Sequence, residues 1–213
     1  KSSETAESPS GKDFGYAIGY DIGSNFNKQN LEVDVNSLKR GLTDGFRGTG
    51  KMTEEELRDT LMEFRKYAMD QQQQQRDQDQ VKNLEEATAF LASNKAKEGI
   101  FTTETGLQYK VLVAGQGNTS PKSTDEVTVN YAGRLLDGTE FDSSYKRGEP
   151  ATFRVDRVVP GWTEALQKMK VGDKWEVYLP PDLGYGERGA GQQIGPNSLL
   201  IFEIELMDFK AEG

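Results

Sequence analysis

From Thr53 to Lys97 the chain contains neither proline nor glycine. As a helix, that run of roughly 45 residues would extend about 65–70 Å at 1.5 Å per residue. It opens with Thr53-Glu54-Glu55-Glu56. This is the spacing of a capping box, in which a Thr hydroxyl and a Glu carboxylate three residues on satisfy each other's free N–H groups. Leu57, Leu61, Phe64 and Ala68 stripe its first part, and Leu84, Ala87, Phe90 and Leu91 its last. Between them, Asp70 to Asn83 is almost wholly polar and includes Gln71 to Gln75. A helix that is polar all round is not buried and bridges two bodies through water. A disordered glutamine linker between two shorter helices is the rival reading.

Two further helices precede this run. Residues 13–29 carry Phe14, Ala17, Ile18, Ile22 and Phe26 near helical spacing. Gly15, Gly19 and Gly23 recur on the neighbouring stripe. Each glycine costs a helix about 0.8–1.0 kcal/mol relative to alanine. Close approach of another helix would offset that, either within the chain or from a second copy. Asp34 caps the next helix, with Val35, Leu38, Leu42 and Phe46 expected inward and Gly48-Thr49-Gly50 ending it. The first residues, 1–12, are rich in Ser, Glu and Thr and are expected to be disordered.

From Gly106 the period changes from helical to alternating. Leu107, Tyr109 and Val111 alternate, as do Val127, Val129 and Tyr131. Asp137-Gly138 marks a hairpin. Phe153 and Val155 form a short strand, and Trp162, Leu166 and Met169 lie on one face of a helix over residues 161–170. Trp175, Val177 and Leu179 alternate up to Pro180-Pro181, and Leu200, Phe202, Ile204 and Leu206 alternate in a final strand. Several antiparallel strands with one short helix make an α+β domain, a sheet curled over that helix.

Charge and composition narrow the chemistry. The formal net charge is -9, so nucleic acid is an unfavourable partner, because phosphate binding needs clustered Lys and Arg. There is no Cys and no His. A disulfide framework, imidazole catalysis and most transition-metal sites are thereby excluded. Hydrophobic residues are 34% of the chain, low for one compact core and in keeping with an extended solvated portion. No apolar run approaches the roughly 18 residues of a membrane span.

Three segments supply an aromatic-walled pocket with few polar groups: Val127 to Ser144, Val158-Val159-Pro160-Gly161-Trp162, and Leu183-Gly184-Tyr185-Gly186. In order and spacing they resemble the FKBP-type peptidyl-prolyl cis/trans isomerases, over about residues 106–210. Tyr16-Ala17-Ile18-Gly19-Tyr20-Asp21-Ile22-Gly23 resembles the macrophage infectivity potentiator (Mip) branch. The resemblance implies a C-terminal antiparallel sheet curled over a short helix, joined by one long α-helix to an all-α dimerisation domain. The divisions expected are a tail at 1–12, a helical dimerisation domain at 13–52, a connecting helix at 53–98 and an isomerase domain at 99–213.

The resemblance also assigns roles. Trp162 would floor the pocket, with Tyr131, Phe141 and Phe202 as walls and Val158 and Val159 along one side. The Val159 N–H and the Tyr185 hydroxyl would meet ligand carbonyls. Asp142 would face the reacting amide, held by Arg147 and Tyr131; a turn-capping Asp is the plainer alternative. Phe153 matches a position nearer the core, and Ile194 a flap residue. Ala151 stands where many relatives have a second aromatic. Ile194-Gly195-Pro196 replaces the commoner Ile-Pro-Pro, and Gln192 and Gln193 make the flap polar.

The activity implied is isomerisation of prolines in unfolded or exposed protein segments, without cofactor or metal. Macrolide inhibitors of the family would share the pocket. A homodimer through residues 13–52 would give two arms enclosing a cleft and hence folding-chaperone activity. The alternative is a chaperone or binding module with weak or no isomerase activity. The polar start resembles the mature end of an exported protein, periplasmic or outer-membrane-associated, with the cytoplasm as the alternative.

Overall fold

The computed structural model describes residues 10–211. Most of the tail expected at 1–12 lies outside them. Two compact units divide between Gln75 and Arg76.

In the first unit, α1 (Gly11–Lys28) begins earlier than expected. Ser10 and Asp13 form a reciprocal capping box, which starts the helix inside the segment read as disordered. The last turns of α1 pack through Phe26, edge-on to Phe64 at 5.9 Å between ring centres. α2 (Val35–Arg47) has Asp34 as its N-cap, accepting from the Ser37 N–H at 2.7 Å, and ends on Gly48 in the left-handed region. α3 (Glu54–Asn94) is one unbroken helix through the glutamine run. Thr53 and Glu56 form its capping box: the Thr53 N–H donates to Glu56 at 2.8 Å and the Glu56 N–H to the Thr53 hydroxyl at 3.2 Å.

Of the α2 stripe, Leu38 is half-buried, but Val35, Leu42 and Phe46 do not turn inward. Val35 is 58%, Leu42 50% and Phe46 93% exposed. The described chain offers no element to cover them, so the amphipathic pattern is real but unpartnered within one copy. The glycine stripe behaves likewise. No side chain and no other segment comes within 4 Å of where a Cβ would sit on Gly15, Gly19 or Gly23. The intrachain contact considered for those glycines is therefore absent among the described residues.

The second unit is built on a seven-stranded antiparallel sheet. Its strands are β1 (Ile100–Thr102), β2 (Gln108–Val113), β3 (Glu126–Leu135), β4 (Glu140–Ser143), β5 (Ala151–Arg154), β6 (Lys174–Leu179) and β7 (Leu200–Lys210). They lie in the order β1-β2-β6-β7-β3-β4, with β5 also on β3. The Asp137-Gly138 turn joins β3 to β4. Gly138 has φ 88°, and the Thr139 N–H bonds the Asp137 carboxylate at 2.8 Å. Two short helices are α4 (Ser144–Arg147) and α5 (Pro160–Leu166). α5 stops before the expected Lys170, at Leu166, but Trp162, Leu166 and Met169 are all buried against the sheet as their spacing required.

The alternating residues of β3, β6 and β7 form the core under α5: Val127, Val129, Val177, Leu179, Leu200, Ile204 and Leu206 are essentially inaccessible. The opposite sheet face has a second apolar cluster. Tyr178, Leu199 and Ile201 pack with Ala87, with Phe90 and Leu91 beside them. The last turns of α3 thus roof the outer face of the sheet. Asn94 donates to Gln108 at 3.0 Å, and Gln108 donates to the Leu91 carbonyl at 2.8 Å, which satisfies the buried amides at that seam.

Candidate active site

The chemistry gathers where β3, β4, β5 and β7 curl over the start of α5. A cavity of about 550 Å³ is lined by Tyr131, Phe141, Asp142, Phe153, Arg157, Val158, Val159, Trp162, Tyr185 and Phe202. Strand alternation puts Tyr131 and Phe202 on the concave face, and the helix start puts Trp162 beneath them. Pro160 at the first turn of α5 suits a position with no hydrogen-bond duty.

Rings surround the indole edge-on. Tyr131 meets Trp162 at 5.0 Å and 88°, Phe202 at 5.2 Å and 84°, and Phe153 at 5.8 Å and 88°. Phe141 stands perpendicular to Phe202 at 5.5 Å. T-shaped pairs of this kind fix ring orientation beyond simple burial. Trp162 is only 4% exposed yet borders the cavity, and its Nε1 is buried without a partner among the described residues.

Gly133 makes the wall possible. A Cβ there would lie 2.5 Å from Phe202 and 2.7 Å from Phe141.

The polar part is a closed triad. The Tyr131 hydroxyl donates to Asp142 Oδ2 at 2.5 Å, Arg147 Nη1 donates to Asp142 Oδ1, and Arg147 Nη2 donates to the Tyr131 oxygen at 2.8 Å. Asp142 sits in β4 and Arg147 ends α4, whose N-cap Ser143 accepts from the Lys146 N–H. The turn therefore carries the guanidinium back to the carboxylate. Partial burial pulls the Asp142 pKa upward. Tyr131 and Arg147 outweigh it and hold the carboxyl below its usual range. Burial first, then Asp142, push the Tyr131 phenol above its ordinary value.

Of the residues assigned from sequence, nine line the cavity: Asp142, Tyr185, Phe141, Trp162, Tyr131, Phe153, Val158, Val159 and Phe202. Arg147 stands behind Asp142 and does not line it. Ile194 is also outside the lining. It is buried in the core and exchanges backbone hydrogen bonds with Ala190 at 2.8 and 3.1 Å. Ala151 packs half-buried on the core and does not border the cavity. The Val159 N–H and the Tyr185 hydroxyl have no acceptor or donor partner among the described residues. Arg157 was missed; its place directly before Val158-Val159 was the available signal. Ser144 was missed too. Its buried hydroxyl accepts from the Tyr131 N–H at 2.9 Å and anchors that strand position.

Known proteins resemble this chain over most of its length. Residues 117–207 match the family model described as FKBP-type peptidyl-prolyl cis-trans isomerase, and residues 11–111 the domain amino terminal to it. The chain is 50% identical over 196 residues to the peptidyl-prolyl cis-trans isomerase Mip of Coxiella burnetii, covering 92% of this chain and 85% of that one. It is 46% identical to the outer membrane protein MIP of Legionella longbeachae, covering 92% and 84%. The crystal structure of FkpA from Escherichia coli superposes with a TM-score of 0.77 at 37% identity, over 96% of this chain and 99% of that one. The chain belongs to the FKBP-type peptidyl-prolyl cis-trans isomerases, in their Mip-like branch, and is an enzyme that interconverts the two forms of the X–Pro bond.

Proposed function

We propose that the prolyl ring of a protein segment sits on Trp162, between Tyr131, Phe141 and Phe202, with Phe153, Val158 and Val159 completing the apolar surround. The Val159 N–H and the Tyr185 hydroxyl bond carbonyls flanking the proline. The carrying observation is the aromatic cavity whose one carboxylate is already paired with Arg147 and Tyr131.

Rotation about an X–Pro bond is slow because amide resonance must be lost, a barrier of about 18–20 kcal/mol. No bond needs to be made or broken. The planar amide is the more dipolar form, so a dry pocket with few donors disfavours it relative to the twisted one. Asp142 faces the reacting amide and acts through its field, not as a nucleophile, since the reaction has no leaving group. Selective stabilisation of the twisted state is what lowers a barrier. A protease-coupled assay on an Xaa-Pro peptide tests these roles. Asp142→Ala is expected to lose about ten- to a hundredfold in kcat/KM, the scale of an interaction with a charged group, and Tyr185→Phe about two- to tenfold, the scale of one neutral hydrogen bond. Wild-type rates in both variants would remove the assignment. A macrolide inhibitor is expected to compete for the same cavity.

Residues 13–52 mediate a homodimer, a reading supported by the uncovered α2 stripe and the open glycine stripe of α1. Chaperone activity accompanies it, with unfolded proteins as clients. Light scattering tests the dimer, and suppression of aggregation of a proline-free client tests the chaperone. The protein acts outside the cytoplasm, in the periplasm or at the outer membrane. This is supported by the naming of the Legionella longbeachae relative as an outer membrane protein. No helix among the described residues is long and apolar enough to cross a membrane.

A further inference from the structure

Tyr185 lines the cavity, is 41% exposed, and has no hydrogen-bond partner for its hydroxyl among the described residues. Where that hydroxyl sits is therefore decided by the backbone beneath it. The next residue, Gly186, has φ 54°. Its carbonyl accepts from the Asn197 N–H at 2.8 Å and from the Gly189 N–H at 3.3 Å. The shorter bond closes the loop of residues 186–197 directly behind Tyr185.

Asn197 is itself held by α3. It is buried and stands at φ 53°, in the left-handed region that Asn enters more readily than most residues. Its side-chain amide donates to the Gln80 carbonyl at 3.3 Å. Less than one helical turn further along α3, Asn83 donates at 2.8 Å to the carbonyl of Pro196, the residue before Asn197. Gly195 gives this contact its room. A Cβ there would lie 3.2 Å from Asn83 Nδ2, inside ordinary van der Waals distance. The glycine that replaces the commoner proline is thus the place where α3 reaches the loop. An acceptor and a donor of α3 grip two successive loop residues, and the second of these grips the carbonyl next to Tyr185.

Resting on the isomerase reading above, we infer that Asn197 is a positioning residue for Tyr185, and that Gln80 and Asn83 of α3 complete the device that sets where the Tyr185 hydroxyl meets a substrate carbonyl. Asn197 does not line the cavity. It acts through the Gly186 carbonyl.

A double-mutant cycle in the full chain tests this, with kcat/KM read by exchange NMR on a short Ala-Pro peptide. Asn197→Gly keeps the backbone N–H and the positive φ but removes the tie to Gln80. Asn83→Ala cuts the other tie without altering the loop. Each is made alone and in the Tyr185→Phe background. Alone, each is expected to lose about three- to fivefold, within the range of one neutral hydrogen bond and no more than Tyr185→Phe itself loses. In the Tyr185→Phe background the same changes should cost less than about twofold, because the hydroxyl they position is gone. Equal losses in both backgrounds are the mark of a merely structural role and overturn the proposal. So does a rate within about twofold of wild type in either variant alone. Circular dichroism checks folding, and if Asn197→Gly does not fold, Asn83→Ala decides. Failure of the underlying reading looks different. A wild-type enzyme that does not catalyse the exchange removes the isomerase reading, and a wild-type rate in Tyr185→Phe removes the hydroxyl's role and its positioning together.

Discussion

Gly133 shows how narrowly the pocket wall is set. An added methyl would enter the space of Phe141 and Phe202. Gly133→Ala is expected to cost about 1–3 kcal/mol, the usual penalty of overpacking, and to lower activity with it; thermal denaturation and the peptide assay check both. The triad beside it sets the pH behaviour. The Asp142 pKa lies below its unfolded value, so the stability it adds is complete above about pH 4 and is lost as pH falls through the folded value. The Tyr131 pKa lies above its unfolded value, so folding is penalised only above about pH 10, where the unfolded chain would ionise. With no His in the chain, kcat/KM is expected to be flat from about pH 6 to 8. A bell-shaped profile centred near neutrality would contradict the non-covalent mechanism. Tyr131 and Asp142 were legible because they stand in one motif, and Arg147 through the family resemblance. Arg157 was not, because a charged residue beside a valine pair reads as surface until the curl of the sheet brings it to a rim.

Among the elements, α1 and α3 make opposite tests. Replacing Gly15, Gly19 and Gly23 by Ala should stabilise the isolated helix by about 0.8–1.0 kcal/mol per site. The same methyls would hold a second helix away, so the triple variant is expected to be monomeric by light scattering. A variant that stays dimeric would move the interface elsewhere. In α3, the segment after the glutamine run holds the loop that follows Tyr185. Asn83 donates to the Pro196 carbonyl at 2.8 Å, Asn197 donates to the Gln80 carbonyl at 3.3 Å, and Arg76 donates to the Arg188 carbonyl at 3.3 Å. Asn83→Ala should free that loop by about 1 kcal/mol, or roughly fivefold faster amide exchange at Ala190 and Ile194. The stripe of Ala87, Phe90 and Leu91 was visible as a helical pattern. Its partners Tyr178, Leu199 and Ile201 were not, since only one face of each strand was read as core.

At the scale of the molecule, the second compact unit begins at Arg76. A fragment of residues 76–213 is expected to fold and to isomerise short peptides, while losing dimerisation and client protection. A fragment of residues 99–213 would strip Ala87, Phe90 and Leu91 from the sheet. It would uncover Tyr178, Leu199 and Ile201 and break the Gln108 bonds to Asn94 and Leu91. With about 1.5–3 kcal/mol at stake for each uncovered large side chain, it is expected to melt far lower or aggregate. Circular dichroism of the two fragments compares them directly.

Local chemistry was readable along the chain. The cap at Asp34, the box at Thr53 and Glu56, the Asp137-Gly138 turn and the alternation of β3, β6 and β7 each depend on neighbours within a few residues, and so appear in the order of side chains. The aromatic constituents of the pocket were readable for the same reason, as short motifs. What depends on distant segments meeting had to wait for the fold. The covering of the sheet by α3 and the burial of Ile194 away from the cavity are set by packing across the chain. No local pattern encodes which surfaces finally touch, because that choice depends on the summed burial of many residues far apart in sequence.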